Sequence, residues 1–168
     1  MQTRRPKFKR SLVGLLLDTS AVIGLRERGS RHIRQLIVDS GTVPLISVIT
    51  LGELETGVRI ASEAAVRART AGHQNADDLS ARSFQRQVTL NEVTREKLLV
   101  VDERTATSFG LVKASMPRSV LQNDCWIAAL AHQHGLELVT EDLDLADRLT
   151  TNTALGLVIH RCAQTSEL

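Results

Sequence analysis

The sequence predicts an α/β three-layer sandwich, in which helices cover both faces of a central parallel sheet of four to five strands. Three observations lead there. Short apolar runs at 12–17, 43–46, 98–101, 136–139 and 157–159 are separated by longer segments with helical periodicity. Strands that alternate with helices are the pattern of a parallel sheet buried on both faces. Asp18, Asp102 and Asp142 stand at or just past the ends of three of these runs. Open α/β sheets place their ligand crevice beyond the carboxyl ends of the strands.

Each element has a local reason. Residues 1–10 read as a flexible basic arm, and residues 11–168 as one domain with a single core, which a chain of 168 residues can build. The run 12–17 is short, apolar and bounded, hence a buried strand. Asp18-Thr19-Ser20 then offers cap chemistry for a short helix through about Leu25. A second helix starts at Gly29-Ser30, carries Ile33, Leu36 and Ile37 at helical spacing, and ends near Ser40-Gly41. Pro44 in the next strand argues for a sheet edge or a strand start.

Ser47 or Thr50 caps the following helix, which is expected to reach about Ala61 and to be largely buried. Gly52 and Gly57 each lower its propensity by about 1 kcal/mol relative to Ala, and close approach of another backbone is the expected reason. Residues 62–97 read as a polar two-helix excursion broken near Gly72. A strand at 98–101 leads to Asp102 and a helix over 104–114, with a loop around Pro117. A helix from Asp124 to His134 is closed by Gly135. The strand at 136–139, a short helix over 143–149 and a last small strand complete the chain. No internal repeat or low-complexity segment interrupts this order.

Composition narrows the function. Apolar residues make up 42% and charged residues 24%, as in ordinary globular proteins. No apolar run approaches the roughly 20 residues of a membrane span, and the basic N-terminus lacks the features of a signal peptide. The cytoplasm is therefore the expected compartment. Cys125 and Cys162 make no zinc or redox pattern, and the histidines are too scattered to make one. Net charge is +2, yet the arginines and lysines cluster in the first ten residues, at 26–34, and at 67–86. Such clusters suit solvated helix faces, or a phosphate backbone. With three Phe, one Trp and no Tyr, a platform for stacking bases is not expected.

Four carboxylates carry the chemistry: Asp18, Glu53, Asp124 and Asp142. Asp18, Asp124 and Asp142 could each be a helix N-cap. Glu53 has no such role, and no Lys or Arg at helical spacing pairs with it; Glu55 is its rival, and periodicity alone does not choose. Acids gathered near buried segments are costly unless something positive sits among them. A hard divalent cation takes oxygen ligands, so Mg²⁺ or Mn²⁺ and phosphodiester chemistry are the expectation.

The segments around these acids resemble a known family. Leu16-Leu-Asp-Thr-Ser-Ala-Val22 is similar to the opening motif of PIN-domain ribonucleases, particularly the toxins of VapBC toxin–antitoxin systems. Ile46-Ser-Val-Ile-Thr-Leu-Gly-Glu-Leu-Glu-Thr-Gly57 resembles the second motif, Asn123-Asp-Cys-Trp-Ile-Ala-Ala129 the third, and Gly135-Leu-Glu-Leu-Val-Thr-Glu-Asp142 the fourth. Asp144-Leu145 stands where the family usually shows Asp-Phe. The resemblance runs through residues 12–160. It implies that Asp18, Glu53, Asp124 and Asp142 hold Mg²⁺ or Mn²⁺, and it implies hydrolysis of RNA to 5′-phosphate and 3′-hydroxyl ends. Thr19, Ser20, Thr140 and Asp144 are candidates for orienting the carboxylates or their waters. The resemblance also implies a cognate antitoxin that covers the site and a homodimer or toxin–antitoxin hetero-oligomer.

Three features depart from the family pattern: the excursion at 62–97, the basic arm, and Glu141 where a basic residue is usual. The extra negative charge of Glu141 is expected to alter ion number or substrate grip. Rival readings are a catalytically weak PIN-like module that binds RNA or protein, and a PIN-type DNA nuclease. An aspartyl-nucleophile phosphatase would want Asp-x-Asp where this chain has Asp18-Thr19-Ser20. A purely structural oligomeric protein explains none of the spacing.

Overall fold

The computed structural model describes residues 13–162. The predicted basic arm lies outside them. Five strands form one parallel sheet: β1 (Leu15–Leu17), β2 (Leu45–Ser47), β3 (Leu98–Leu99), β4 (Glu137–Thr140) and β5 (Ile159–Arg161), in the order β3-β2-β1-β4-β5. Seven α-helices are found among the described residues: α1 (Thr19–Arg26), α2 (Arg31–Ser40), α3 (Val48–Thr70), α4 (Ala76–Val93), α5 (Glu103–Ser115), α6 (Gln122–His134) and α7 (Leu143–Thr150). A short 3₁₀ turn, Thr153–Leu155, precedes β5.

The sheet is covered on both faces because its central strand is apolar on both. Leu15 and Leu17 face one core with Val22, Ile33, Leu54, Val58, Leu90 and Val93, from α1 to α4. Leu16 faces the other, with Val112, Ile127, Leu130, Leu145 and Leu149, from α5 to α7. The period-2 alternation of strand side chains thus assigns one helical layer to each face. The chain runs outward from β1 through β2 to β3, then returns to place β4 on the other side of β1. That reversal makes the carboxyl ends of β1 and β4 the switch point where such sheets open a crevice.

Several expectations are corrected. Of the two expectations for Pro44 the strand start holds and the sheet edge does not: Pro44 directly precedes β2, which lies between β1 and β3. The apolar run 98–101 pairs only at Leu98–Leu99, and Val100 and Val101 are exposed beyond the ladder of this edge strand. The helix expected to stop near Ala61 continues to Thr70, because Ala65 and Ala68 are buried and let α4 pack closely against α3. That helix is not largely buried, since Ile60 is 59% exposed. No backbone crowds its glycines. A Cβ at Gly52 would meet nothing within 4 Å, and at Gly57 it would meet the guanidinium of Arg86, which donates to the Gly57 carbonyl.

Candidate active site

Asp18 follows β1 directly and its backbone N–H donates to the Val139 carbonyl at 3.1 Å, so the ladder holds it against β4. Its side chain is 4% exposed. As the N-cap of α1 it accepts from the Ala21 amide at 2.7 Å. It also accepts from the hydroxyls of Ser20 at 2.8 Å and Thr140 at 2.5 Å. Burial pushes its carboxyl above the usual range, and the hydrogen bonds from Thr140, Ala21 and Ser20 pull against that shift.

Asp142 follows β4 by two residues and caps α7, accepting from the Leu145 amide at 3.0 Å. Ser20 and Thr140 tie these two acids together. The Ser20 hydroxyl donates to Asp18 and accepts from the amides of Glu141 at 2.8 Å and Asp142 at 3.2 Å. The Thr140 hydroxyl donates to Asp18 and accepts from the Asp142 amide at 2.9 Å. Each of these bonds uses the one proton and the lone pairs of a hydroxyl.

Asp124 is not a cap. Helix α6 begins at Gln122 with Leu121 as its N-cap, so Asp124 stands inside the first turn, where the helix dipole favours a negative charge. Among the described residues nothing donates a hydrogen bond to its carboxylate. Its pKa is pushed up to about 6, first by desolvation and then by the charges of Glu53, Asp142 and Asp18. Glu53, on α3, accepts from the Thr19 hydroxyl and, at 2.9 Å, from the Asn123 side-chain amide. Its rival Glu55 pairs with Arg59 at 2.8 Å on the outer side of the helix.

Asp18, Glu53, Asp124 and Asp142 therefore line one cleft of about 670 Å³, together with Thr19, Ser20, Asn123 and an apolar wall that includes Ile23, Val48 and Ile127. Thr140 lies beneath it, bonded to Asp18. Asp144 does not line the cleft: it is exposed and pairs with Arg148 at 2.7 Å. Asp102, in the turn between β3 and α5, is absorbed in a capping box, where the Thr105 amide and hydroxyl hold its carboxyl below the usual range. Asn123 was not singled out from sequence; the sign available was a polar residue directly before Asp124 at the start of an otherwise apolar helix.

The donor set is all oxygen and suits a hard cation. Burial first, and then repulsion from the neighbouring acids, raises Asp124, and a bound cation would offset both. Among the described residues no three His, Cys, Asp or Glu side chains stand close enough to ligate one ion directly. A divalent ion in this cleft would therefore be touched directly by at most two of these side chains and reached by the others through its waters.

Residues 15–149 match the PIN domain family. The chain belongs to that family. Its PIN domain is 33% identical over 134 residues to Ribonuclease VapC5 of Mycobacterium tuberculosis, covering 78% of this chain and 84% of the relative. It is also 33% identical over 136 residues to Ribonuclease VapC4 of the same organism, covering 78% and 88%. Among solved structures it resembles VapBC-5 of Mycobacterium tuberculosis, a member of the VapBC family of toxin–antitoxin systems, with a TM-score of 0.56 and 26% identity over 89% of this chain and 98% of that one. The fold is shared with a DNA-bound VapBC from Salmonella typhimurium, at a TM-score of 0.60 and 24% identity over 90% and 99%. No helix among the described residues of this PIN domain is long and apolar enough to cross a membrane.

Proposed function

We propose that this PIN-domain protein is an endoribonuclease, the toxin of a VapBC-type toxin–antitoxin system, and that it hydrolyses RNA phosphodiester bonds with Mg²⁺ or Mn²⁺. The observation that carries this reading is the convergence of Asp18, Glu53, Asp124 and Asp142 on one cleft. The ribonuclease relatives at 33% identity support the choice of RNA as substrate.

Asp18, Glu53 and Asp124 are the main residues that would hold the ion, directly or through its waters, with Asp142 as a further ligand or as support for the others. A divalent ion in this cleft supplies charge neutralisation for the phosphoryl oxygens and makes a water easier to deprotonate. The chain does the rest. Ser20 and Thr140 fix the direction of the Asp18 carboxylate, and Thr19 and Asn123 fix that of Glu53. Asp124, whose carboxyl is pushed up to about 6 in the ion-free protein, is an acid that a bound cation would favour in its ionised form. The apolar wall from Ile23, Val48 and Ile127 limits water on one side of the cleft.

The same negative cleft suits a cationic side chain from an antitoxin, in particular a bidentate Arg. The VapBC structures among its relatives support an antitoxin as partner. A homodimer or a toxin–antitoxin hetero-oligomer in the cytoplasm belongs to the same proposal.

The test is to incubate the purified protein with total RNA, with and without Mg²⁺, and to sequence the new 5′ ends. Discrete Mg²⁺-dependent cuts bearing 5′-phosphates, lost in Asp18→Asn, are expected. Uncut RNA would overturn the reading, and cutting of DNA alone would replace it with a DNA nuclease.

A further inference from the structure

Glu141 adds a fifth acid next to Asp142, yet its side chain does not line the cleft. Its side chain is 3% exposed and forms an ion pair with Arg28, which follows α1. The Arg28 guanidinium also donates to the Ser20 carbonyl at 3.4 Å. The carboxylate of Glu141 fills the space that a side chain at residue 24 would occupy: a Cβ on Gly24 would overlap it. Gly24 is itself buried within α1. Gly24 and Arg28, close together in sequence, thus meet Glu141, 113 positions after Arg28, behind the acids.

We infer that Gly24, Arg28 and Glu141 form a latch that positions Asp142 and Ser20 at the acidic cleft, with the Glu141 carboxylate buried and the Arg28 side chain reaching it from the surface. The chain of contacts is continuous. The Glu141 carboxylate is pinned to α1 by Arg28, and the Glu141 amide donates to the Ser20 hydroxyl. The next amide, that of Asp142, donates to the hydroxyls of Ser20 and Thr140, which both donate to Asp18. The loop between β4 and α7 is therefore fastened at Glu141 through both its side chain, to Arg28, and its backbone amide, to Ser20 of α1. Without the ion pair, the carboxylate is left buried and unpaired, and relief comes from moving the loop toward water. That movement carries Asp142 with it and withdraws two donors from Ser20. Arg28, Glu141 and Gly24 are positioning residues, since none of them lines the cleft.

The functional part of this inference rests on the nuclease reading; the structural part does not. The experiment compares wild type with Arg28→Ala, Arg28→Lys and Glu141→Gln, the last retaining the shape of the side chain. Two readouts are taken at a temperature where circular dichroism shows each variant folded. Amide hydrogen exchange is followed at Glu141 and Asp142, and kcat and KM are measured on a short single-stranded RNA with Mg²⁺. The latch predicts faster exchange at these two amides in Arg28→Ala and Glu141→Gln. It predicts a fall in kcat of about tenfold or more, as for groups that orient metal ligands, with KM little changed and partial recovery in Arg28→Lys. Exchange at 141 and 142 equal to wild type, or kcat within about twofold of it, would overturn the latch even if the melting temperature drops. If wild type cuts no RNA while exchange responds as stated, the nuclease reading fails and the structural latch stands.

Discussion

Replacing Asp124 with Asn should stabilise the ion-free protein while abolishing RNA cleavage. The carboxyl of Asp124 is shifted from 3.8 to about 6. At 1.36 kcal/mol per pKa unit, a shift of this size corresponds to a ceiling of about 3 kcal/mol. The side chain is half-buried, so solvent screening reduces the expected gain to about 1 kcal/mol. The sign follows from proton binding. Between about pH 4 and pH 6 the folded protein holds a proton that the unfolded chain has lost, so stability is highest below this window and falls as pH rises through it. Asn has no such proton to lose. In the presence of a chelator at pH 7.5, Asp124→Asn should melt about 2–4 °C above wild type, with the gap vanishing at pH 4. Mg²⁺ should narrow the gap at pH 7.5 by stabilising wild type alone. A variant that melts below wild type at pH 7.5 in chelator, or whose difference from wild type is flat from pH 4 to 7.5, would refute the argument from crowded charge.

Other substitutions separate the roles further. Asp18→Asn keeps a good N-cap for α1, so far-ultraviolet circular dichroism should match wild type while cleavage is lost. Asn123→Ala removes one of the donors that hold Glu53 and should lower kcat about 10- to 100-fold, read by steady-state cleavage of a short RNA. Gly52→Ala places a methyl group in open space and should raise helix stability by about 1 kcal/mol, measured by urea denaturation.

What could be seen in the sequence depended on the range of the forces involved. Strand β1 and helix α6 are apolar enough to be recognised from their own residues. The full length of α3 is not legible in the sequence, because its second half is held by α4, through Ala65 and Ala68, and small residues make no stripe. Strand β3 is shorter than its apolar run, because such a run does not show where the neighbouring strand stops. At the cleft, the choice between Glu53 and Glu55 needed the direction of each side chain. The fate of Glu141 needed Arg28, 113 positions earlier. Asn123 escaped notice because an amide has no charge to call for explanation, and only the folded chain puts it against Glu53.

The proposition underlying all of this is that Asp18, Glu53, Asp124 and Asp142 together receive a divalent ion. The most direct measurement is a Mn²⁺ titration of the protein followed by NMR of the side-chain carboxyl carbons. Saturable broadening of those four carboxylates, with the exposed Glu55 spared and the effect lost in Asp18→Asn, is the predicted result. Absence of saturable broadening, or equal broadening of Glu55 and the four acids, would contradict the account.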